Sequence, residues 1–165
     1  MERINHNIEP LYDRNSRILI LGSFPSVKSR EMRFFYGHPQ NRFWRVIAAL
    51  TDYPVPHTIE DKKKMLHENH IALWDTIASC EIEGSSDSSI KGVVPNNLNI
   101  ILETALVRAV YCTGTKSYEL YHKYCEIQTG MPAFKLPSTS PANAACSLDR
   151  LIKEWSVIMD KLRAV

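Results

Sequence analysis

At 165 residues, with 44% hydrophobic and 23% charged residues, the chain has an ordinary globular composition, which excludes disordered, collagenous and coiled-coil architectures. Twenty Lys and Arg against eighteen Asp and Glu give a net charge of +2, too mild to mark a nucleic-acid binder by itself. No apolar run approaches the roughly 18 residues of a membrane span, and MERINHNIEP has the features of neither a signal nor a transit peptide, so residues 1–165 are expected to form a single cytoplasmic domain.

Residues 17–21, RILIL, form a short aliphatic run ending at Gly22, the mark of a buried strand feeding a loop. Residues 28–45 carry Lys28, Arg30, Arg33, Arg42 and Arg45 against Glu31 alone, a local +4 that leaves the remainder at −2. Five of the fifteen aromatics, Phe34, Phe35, Tyr36, Phe43 and Trp44, share that window. The interleaving suits either a surface that holds phosphates and stacks on bases or a charged loop beside two core anchors. From 41 to 50, Phe43, Trp44, Ile47 and Leu50 recur at helical spacing. Thr58 can cap a second helix, with Asp61 in capping-box position and Lys62, Lys63 and Lys64 as a solvated face.

Strand two is expected over 71–74, and the Ser- and Gly-rich stretch at 83–92 reads as an exposed loop. Asn96 or Asn97 caps a helix through Ala105. Strand three covers 107–112, a helix 116–124 and strand four 133–136. Ser147 opens a long final helix with Leu148, Leu151, Ile152, Trp155, Met159 and Leu162 on one stripe. Four strands alternating with helices predict a three-layer α/β/α sandwich around a central four-stranded, mainly parallel sheet. Ligands of such sheets lie beyond the carboxyl ends of the strands. There the sequence supplies GSFPS (22–26), WDTIASC (74–80), CTGTKS (112–117) and LPSTSPAN (136–143).

Several chemistries fail on spacing. Cys80, Cys112, Cys125 and Cys146 contain no CxxC pair, and His67 and His70 have no third ligand nearby, so no metal or other cofactor is expected and free buried thiols are. GTKS at 114–117 is like the end of a phosphate-binding P-loop, but Ala109 stands where that loop needs Gly. GSFPS lacks the GxSxG spacing of a nucleophile elbow, and no GxGxxG occurs. Cys112 and His122 lie ten residues apart along a helix, too far for a thiol and its base.

Taken together, GSFPS after strand one, YGHPQNRFW at 36–44, WDTIASC after strand two and LPSTSPAN after strand four closely resemble the uracil-DNA glycosylase superfamily. Within it the likeness is to the hypoxanthine-DNA glycosylase branch (family six, DNA-deoxyinosine glycosylase), over about residues 14–160. The resemblance implies a monofunctional enzyme, monomeric and free of cofactors, that starts base excision repair. It would flip a deaminated base, hypoxanthine first and uracil next, out of damaged double- or single-stranded DNA and hydrolyse its N-glycosidic bond. Flipping costs a few kcal/mol, which a pocket recovers by stacking and edge contacts.

The same resemblance implies roles for particular residues. Ser23, Phe24, Tyr36 and Leu136 would form the base pocket, with Tyr36 as the stacking aromatic. Pro25, Ser26, Ser138, Thr139 and Ser140 lie in loops that pinch the DNA backbone, joined as DNA contacts by Arg42, Lys116 and Asn143. Two polar groups usual in the superfamily are replaced: Phe24 stands in place of a water-orienting Asp or Asn, and Leu136 in place of a His or Asn that donates to the departing base. The catalytic amide is then Asn41, which can hold water or bond the departing base, and whose position also fits an N-cap. Asp75 is the nearest carboxylate; it can contact the base edge, face an oxocarbenium-like sugar, or only cap the turn after strand two. A lyase is not expected, because Lys116 is the sole amine in these loops. The missing Asp and His leave open a non-catalytic member that binds damaged DNA or a nucleotide.

Overall fold

The computed structural model describes residues 2–163. In chain order its elements are β1 (Arg3–Asn5), β2 (Ile18–Gly22), α1 (Val27–Met32), α2 (Phe43–Thr51), α3 (Ile59–Glu68), β3 (Ile71–Asp75), β4 (Ile77–Glu81), a 3-10 turn (Asp87–Ser89), β5 (Lys91–Pro95), α4 (Asn99–Leu102), β6 (Ala109–Thr113), α5 (Thr115–Tyr124), α6 (Glu126–Thr129), β7 (Ala133–Leu136), α7 (Leu148–Trp155) and α8 (Ile158–Arg163). The four strands read from the sequence are β2, β3, β6 and β7. They form a wholly parallel sheet in the order β3-β2-β6-β7, flanked by helices in the expected α/β/α arrangement.

Continuous aliphatic character is what a strand covered on both faces needs. Ile18, Leu19, Ile20 and Leu21 are wholly buried, each worth about 1.5–3 kcal/mol relative to exposure. The outer edge of β3 is closed by a bridge from Leu11 to Leu73, with both backbone bonds at 2.9 Å. Capping follows side-chain chemistry: Thr58 Oγ1 accepts from Asp61 N (3.0 Å) at α3, and Ser147 Oγ from Arg150 N (3.2 Å) at α7.

The sequence reading missed a second sheet, antiparallel and ordered β1-β4-β5. Only Thr76 separates β3 from β4, so the chain passes directly from one sheet to the other. The ladder on β2 continues through Thr76 N to Gly22 O (2.8 Å) and Ile77 N to Ser23 O (3.1 Å). The small sheet covers its own apolar cluster of Phe24, Ile77, Cys80, Ile82, Ile90 and Leu120.

Other departures have local causes. The stretch 83–92 is not loop throughout: it contains the 3-10 turn, and its last two residues begin β5. The helix expected through Ala105 is the four residues of α4, because Asn96 is drawn into the small sheet while Asn97 Oδ1 accepts from Asn99 N (3.2 Å). The final helix breaks after Trp155, where Ser156 Oγ donates back to Lys153 O (2.6 Å). In the basic window, Phe34, Phe35, Phe43 and Trp44 are buried in the main core, so these aromatics are core anchors. Lys62 and Lys63 lie over the Trp44 and Phe34 rings at 5.1 and 5.8 Å instead of forming a purely solvated face. All four cysteines are free and buried, and no helix among the described residues is long and apolar enough to cross a membrane.

Candidate active site

The strand order reverses beside β2, and a cavity of about 310 Å³ opens at the carboxyl ends of the parallel strands, where the topology predicts a ligand. Ser23, Phe24, Pro25 and Ser26 line it from the loop after β2, Asp75 from β3, Thr113 from β6, and Ser138, Thr139 and Ser140 from the loop after β7. The segment before α2 adds Tyr36 and Asn41.

Asn41 is oriented by its helix. Its Oδ1 accepts from Phe43 N (2.9 Å), an Asx-type bond two residues along the chain, and also from Thr139 Oγ1 (2.8 Å). A backbone N–H can only donate, so the amide orientation is fixed: the oxygen is taken by Phe43 and Thr139, and the NH₂ is the group left over on a residue that lines the cavity. The N-cap of α2 is Arg42, without a side-chain capping bond, so Asn41 does not cap the helix as its position suggested; its oxygen closes the turn one residue earlier, and the group left for a ligand is a donor.

Asp75 ends β3 and is 5% exposed. It does not cap the turn: the group bonded to its Oδ2 is His6 Nε2, at 2.8 Å. Its backbone carbonyl accepts from Asn96 Nδ2 (2.8 Å). Oδ1 lies against the Cα of Gly22, where a Cβ would approach it to 2.5 Å, so only glycine lets the carboxylate sit there.

Tyr36 adopts a left-handed backbone (φ 50°), uncommon for a residue with a side chain, and its ring stacks on Phe43 at 4.0 Å and 11°. Its hydroxyl is buried beside Thr113 but completes no hydrogen bond, Thr113 Oγ1 being directed at Leu21 O (3.2 Å). Burial, and then the charge of Asp75, push the phenol well above its ordinary range. Phe24 lines the cavity and packs in the small core, edge-on to His6 at 6.0 Å. Leu136 corrects the sequence reading: its side chain is 3% exposed in the main core and does not line the cavity.

The expected DNA contacts divide. Pro25, Ser138, Thr139 and Ser140 are on the cavity rim; Ser26 is there too, while its hydroxyl caps α1 by accepting from Ser29 N (3.2 Å). Arg42 is turned inward, its guanidinium donating to the carbonyls of Cys146, Ser140 (3.0 Å) and Asn143 (3.1 Å). Asn143 Nδ2 in turn donates to Ser138 O (3.0 Å), so these two residues shape the rim loop from behind. Lys116 lies outside the cavity lining, close enough to act on the charge of Asp87.

His6 and Asp87 were not singled out from the sequence. Asp87 reaches the cavity from the 3-10 turn and accepts from Ser23 Oγ (2.8 Å). Its carboxyl is raised chiefly by burial; Ser23 and Lys116 oppose the shift and Asp75 adds to it. Ser-rich composition marked this segment as loop, but nothing local showed that it folds over the pocket. Cys112 is no nucleophile, since burial pushes its thiol up to about 12.

A half-buried amide and a buried carboxylate lining one cavity, at the switch point of a parallel sheet, define a site for chemistry on a small planar ligand. Residues 9–160 match the profile of the uracil DNA glycosylase superfamily. The chain belongs to that superfamily and is a DNA glycosylase, a hydrolase of N-glycosyl bonds. It is similar to a hypoxanthine DNA glycosylase of Methanosarcina acetivorans, 34% identical over 159 residues covering 94% of this chain and 98% of the relative. A hypoxanthine DNA glycosylase of Methanosarcina barkeri is 34% identical over 112 residues, covering 67% and 71%. The solution NMR structure of a candidate uracil DNA glycosylase from Methanosarcina acetivorans superposes with a TM-score of 0.82 at 32% identity, covering 97% of this chain and 99% of that one.

Proposed function

We infer that the substrate base is hypoxanthine, extruded from double- or single-stranded DNA by a monomeric enzyme acting in the cytoplasm of a prokaryote. The observation that carries this reading is the fixed orientation of Asn41, whose oxygen is taken by Phe43 N and Thr139 Oγ1, leaving only N–H donors for a ligand. A purine leaving from C1′ carries the electron pair of the broken bond, and a donor aimed at one of its acceptors stabilises that charge in the transition state. A donor cannot take a proton from water, so Asn41 serves the departing base and not the nucleophile. The names of the relatives, both hypoxanthine DNA glycosylases, support the same base.

Asp75 supplies the complementary charge. Its Oδ1 has no hydrogen-bond partner among the described residues, and Asp75 lines the cavity, where a carboxylate would stabilise an oxocarbenium-like sugar and receive a proton from the attacking water. The water oxygen bonds to C1′, the C1′–N9 bond breaks with its electron pair on the base, and the water proton passes to Asp75. The base then takes up one proton and leaves an abasic site. The face of Tyr36 away from Phe43 is the one left for stacking, while Pro25, Ser26, Ser138, Thr139 and Ser140 hold the flanking phosphates.

The test is incubation of duplexes carrying one hypoxanthine, uracil or xanthine with the protein, followed by alkali. Strand scission at hypoxanthine is expected, and Asn41→Ala should lower it about 10²–10³-fold while DNA binding persists, the scale of losing one preorganised donor. A shifted but uncut hypoxanthine duplex would replace catalysis by binding alone, and unchanged single-turnover release by Asn41→Ala would remove Asn41 from the mechanism.

A further inference from the structure

Against Asp75, outside the cavity lining, lies a histidine with no part in the mechanism above. His6 follows β1, whose pairing with β4 sets Asn5 opposite Ser79 and continues through His6 N to Ala78 O (2.7 Å). That register carries the imidazole to the carboxylate: His6 Nε2 is 2.8 Å from Asp75 Oδ2, with side-chain exposures of 5% and 7%. Ile8 N donates to Nδ1 (3.3 Å), so Nδ1 is the acceptor nitrogen and Nε2 carries the proton given to Asp75. Trp74 and Phe24 meet the ring edge-on at 6.3 and 6.0 Å and keep it from turning.

An aspartate rotates easily about its last torsion, and its two oxygens are equivalent until something distinguishes them. Here one donor occupies Oδ2, Gly22 leaves room for Oδ1 and no more, and Asn96 holds the backbone between. We propose that His6 is a positioning residue of the glycosylase reaction, holding Asp75 through Oδ2 so that Oδ1 is the single carboxylate oxygen offered to the sugar and water. The proposal rests on the role given to Asp75 above and adds a function for the small sheet: β1 delivers the histidine, and β4 and β5 hold the strand end it acts on.

The test is single-turnover release of hypoxanthine at saturating DNA by His6→Gln, His6→Asn, His6→Leu, Asp75→Asn and the His6→Leu/Asp75→Asn double variant, each first shown to unfold cooperatively. A Gln amide reaches the position of Nε2, whereas an Asn amide stops near Nδ1. His6→Leu and His6→Asn are expected to lose about 10- to 100-fold in the rate of base release, as orienting partners of active groups do, with DNA affinity unchanged. His6→Gln should recover to within about threefold of the native rate. In the Asp75→Asn background, His6→Leu should cost nothing further, because the two act as a unit. If Asp75→Asn itself releases hypoxanthine normally, the role of Asp75 is wrong and the proposal falls with it. If Asp75→Asn is impaired while His6→Leu is not, or if the double variant multiplies the two losses, the Asp75 role stands and His6 is only structural. Should His6→Leu fail to fold, equal rates for His6→Gln and His6→Asn overturn the proposal, since both are polar and only one reaches.

Discussion

The parallel sheet and the small antiparallel sheet serve one pocket by different means. Every strand of the first ends at the cavity or in a loop that reaches it, and its contribution is topological: Gly22, Asp75 and Thr113 converge because parallel strands end together. The second sends no strand end into the cavity. It contributes His6, clamps the backbone at Asp75 through Asn96, and sends Asp87 in on the connection between β4 and β5. The first sheet places the groups, and the second restrains them.

Among variants at the joint between the sheets, the largest effect is expected at Gly22. Gly22→Ala brings a Cβ to 2.5 Å from Asp75 Oδ1, and the carboxylate cannot swing aside without losing His6. Hypoxanthine release should fall about 100-fold, the scale of a displacement near 1 Å at a reacting group, with the parallel sheet intact by circular dichroism. Native activity in Gly22→Ala would mean that the position of Oδ1 is not critical.

Phe24→Asn acts on the joint from the other side. The residue begins in a loop of the parallel sheet but is 8% exposed in the small core, with Arg30 5.6 Å above its ring. Removing the ring should destabilise the protein by about 3–5 kcal/mol, the range for deleting a buried aromatic, and reduce hypoxanthine release by freeing the ring of His6. If the variant folds cooperatively and instead gains uracil release, residue 24 faces the sugar as in polar members of the superfamily, and its packing role is secondary.

The same contrast explains what could be read in advance. Runs such as RILIL and IALW, each closing on small or polar residues, sit within two residues of their observed strands because continuous apolar character is a local signal. The GSFPS, WDTIASC and LPSTSPAN loops were legible as the segments that end or follow such runs, whereas Asn41 was legible only through the resemblance of its segment to the superfamily. β1 is three residues long and β5 mostly solvent-facing with a Gly and a Pro, so neither shows alternation. The pairing of His6 with Asp75 spans 69 positions and depends on a register that no window of sequence contains. Leu136 was misplaced because a motif position was taken for a pocket position, while the strand's end turns that side chain into the core.

Asp87→Asn separates pocket from fold by pH. Burial raises this carboxyl, so the folded state binds its proton more tightly than the unfolded chain does. Stability contributed by the protonated form is therefore complete below the unfolded carboxylate range and lost as pH rises through the folded value. Relative to the native protein, Asp87→Asn should be indistinguishable near pH 3 and slightly more stable at pH 7, an effect kept small because the residue is partly exposed. Thermal midpoints at the two pH values check this. A variant less stable at pH 7 would show that the bond from Ser23 outweighs burial.

The smallest effect is expected at Tyr36→Phe, and it bears on which part of the tyrosine the pocket uses. The hydroxyl is buried without a partner, an arrangement that costs about 1–3 kcal/mol when a polar group leaves water unpaired. Removing it leaves the stack on Phe43 and the left-handed backbone as they are. The thermal midpoint should therefore hold or rise, by about 2–4 °C for each kcal/mol recovered in a chain of this size. The phenol is pushed above its ordinary range, so no limb of the pH–rate profile should belong to it and none should vanish in the variant. Tyr36→Ala sets the scale for the ring, with a flipped-base complex weakened by about 1–3 kcal/mol. If Tyr36→Phe loses as much as Tyr36→Ala while unfolding at or above the native midpoint, the hydroxyl finds its missing partner on the bound base, and Tyr36 reads an edge instead of stacking on a face.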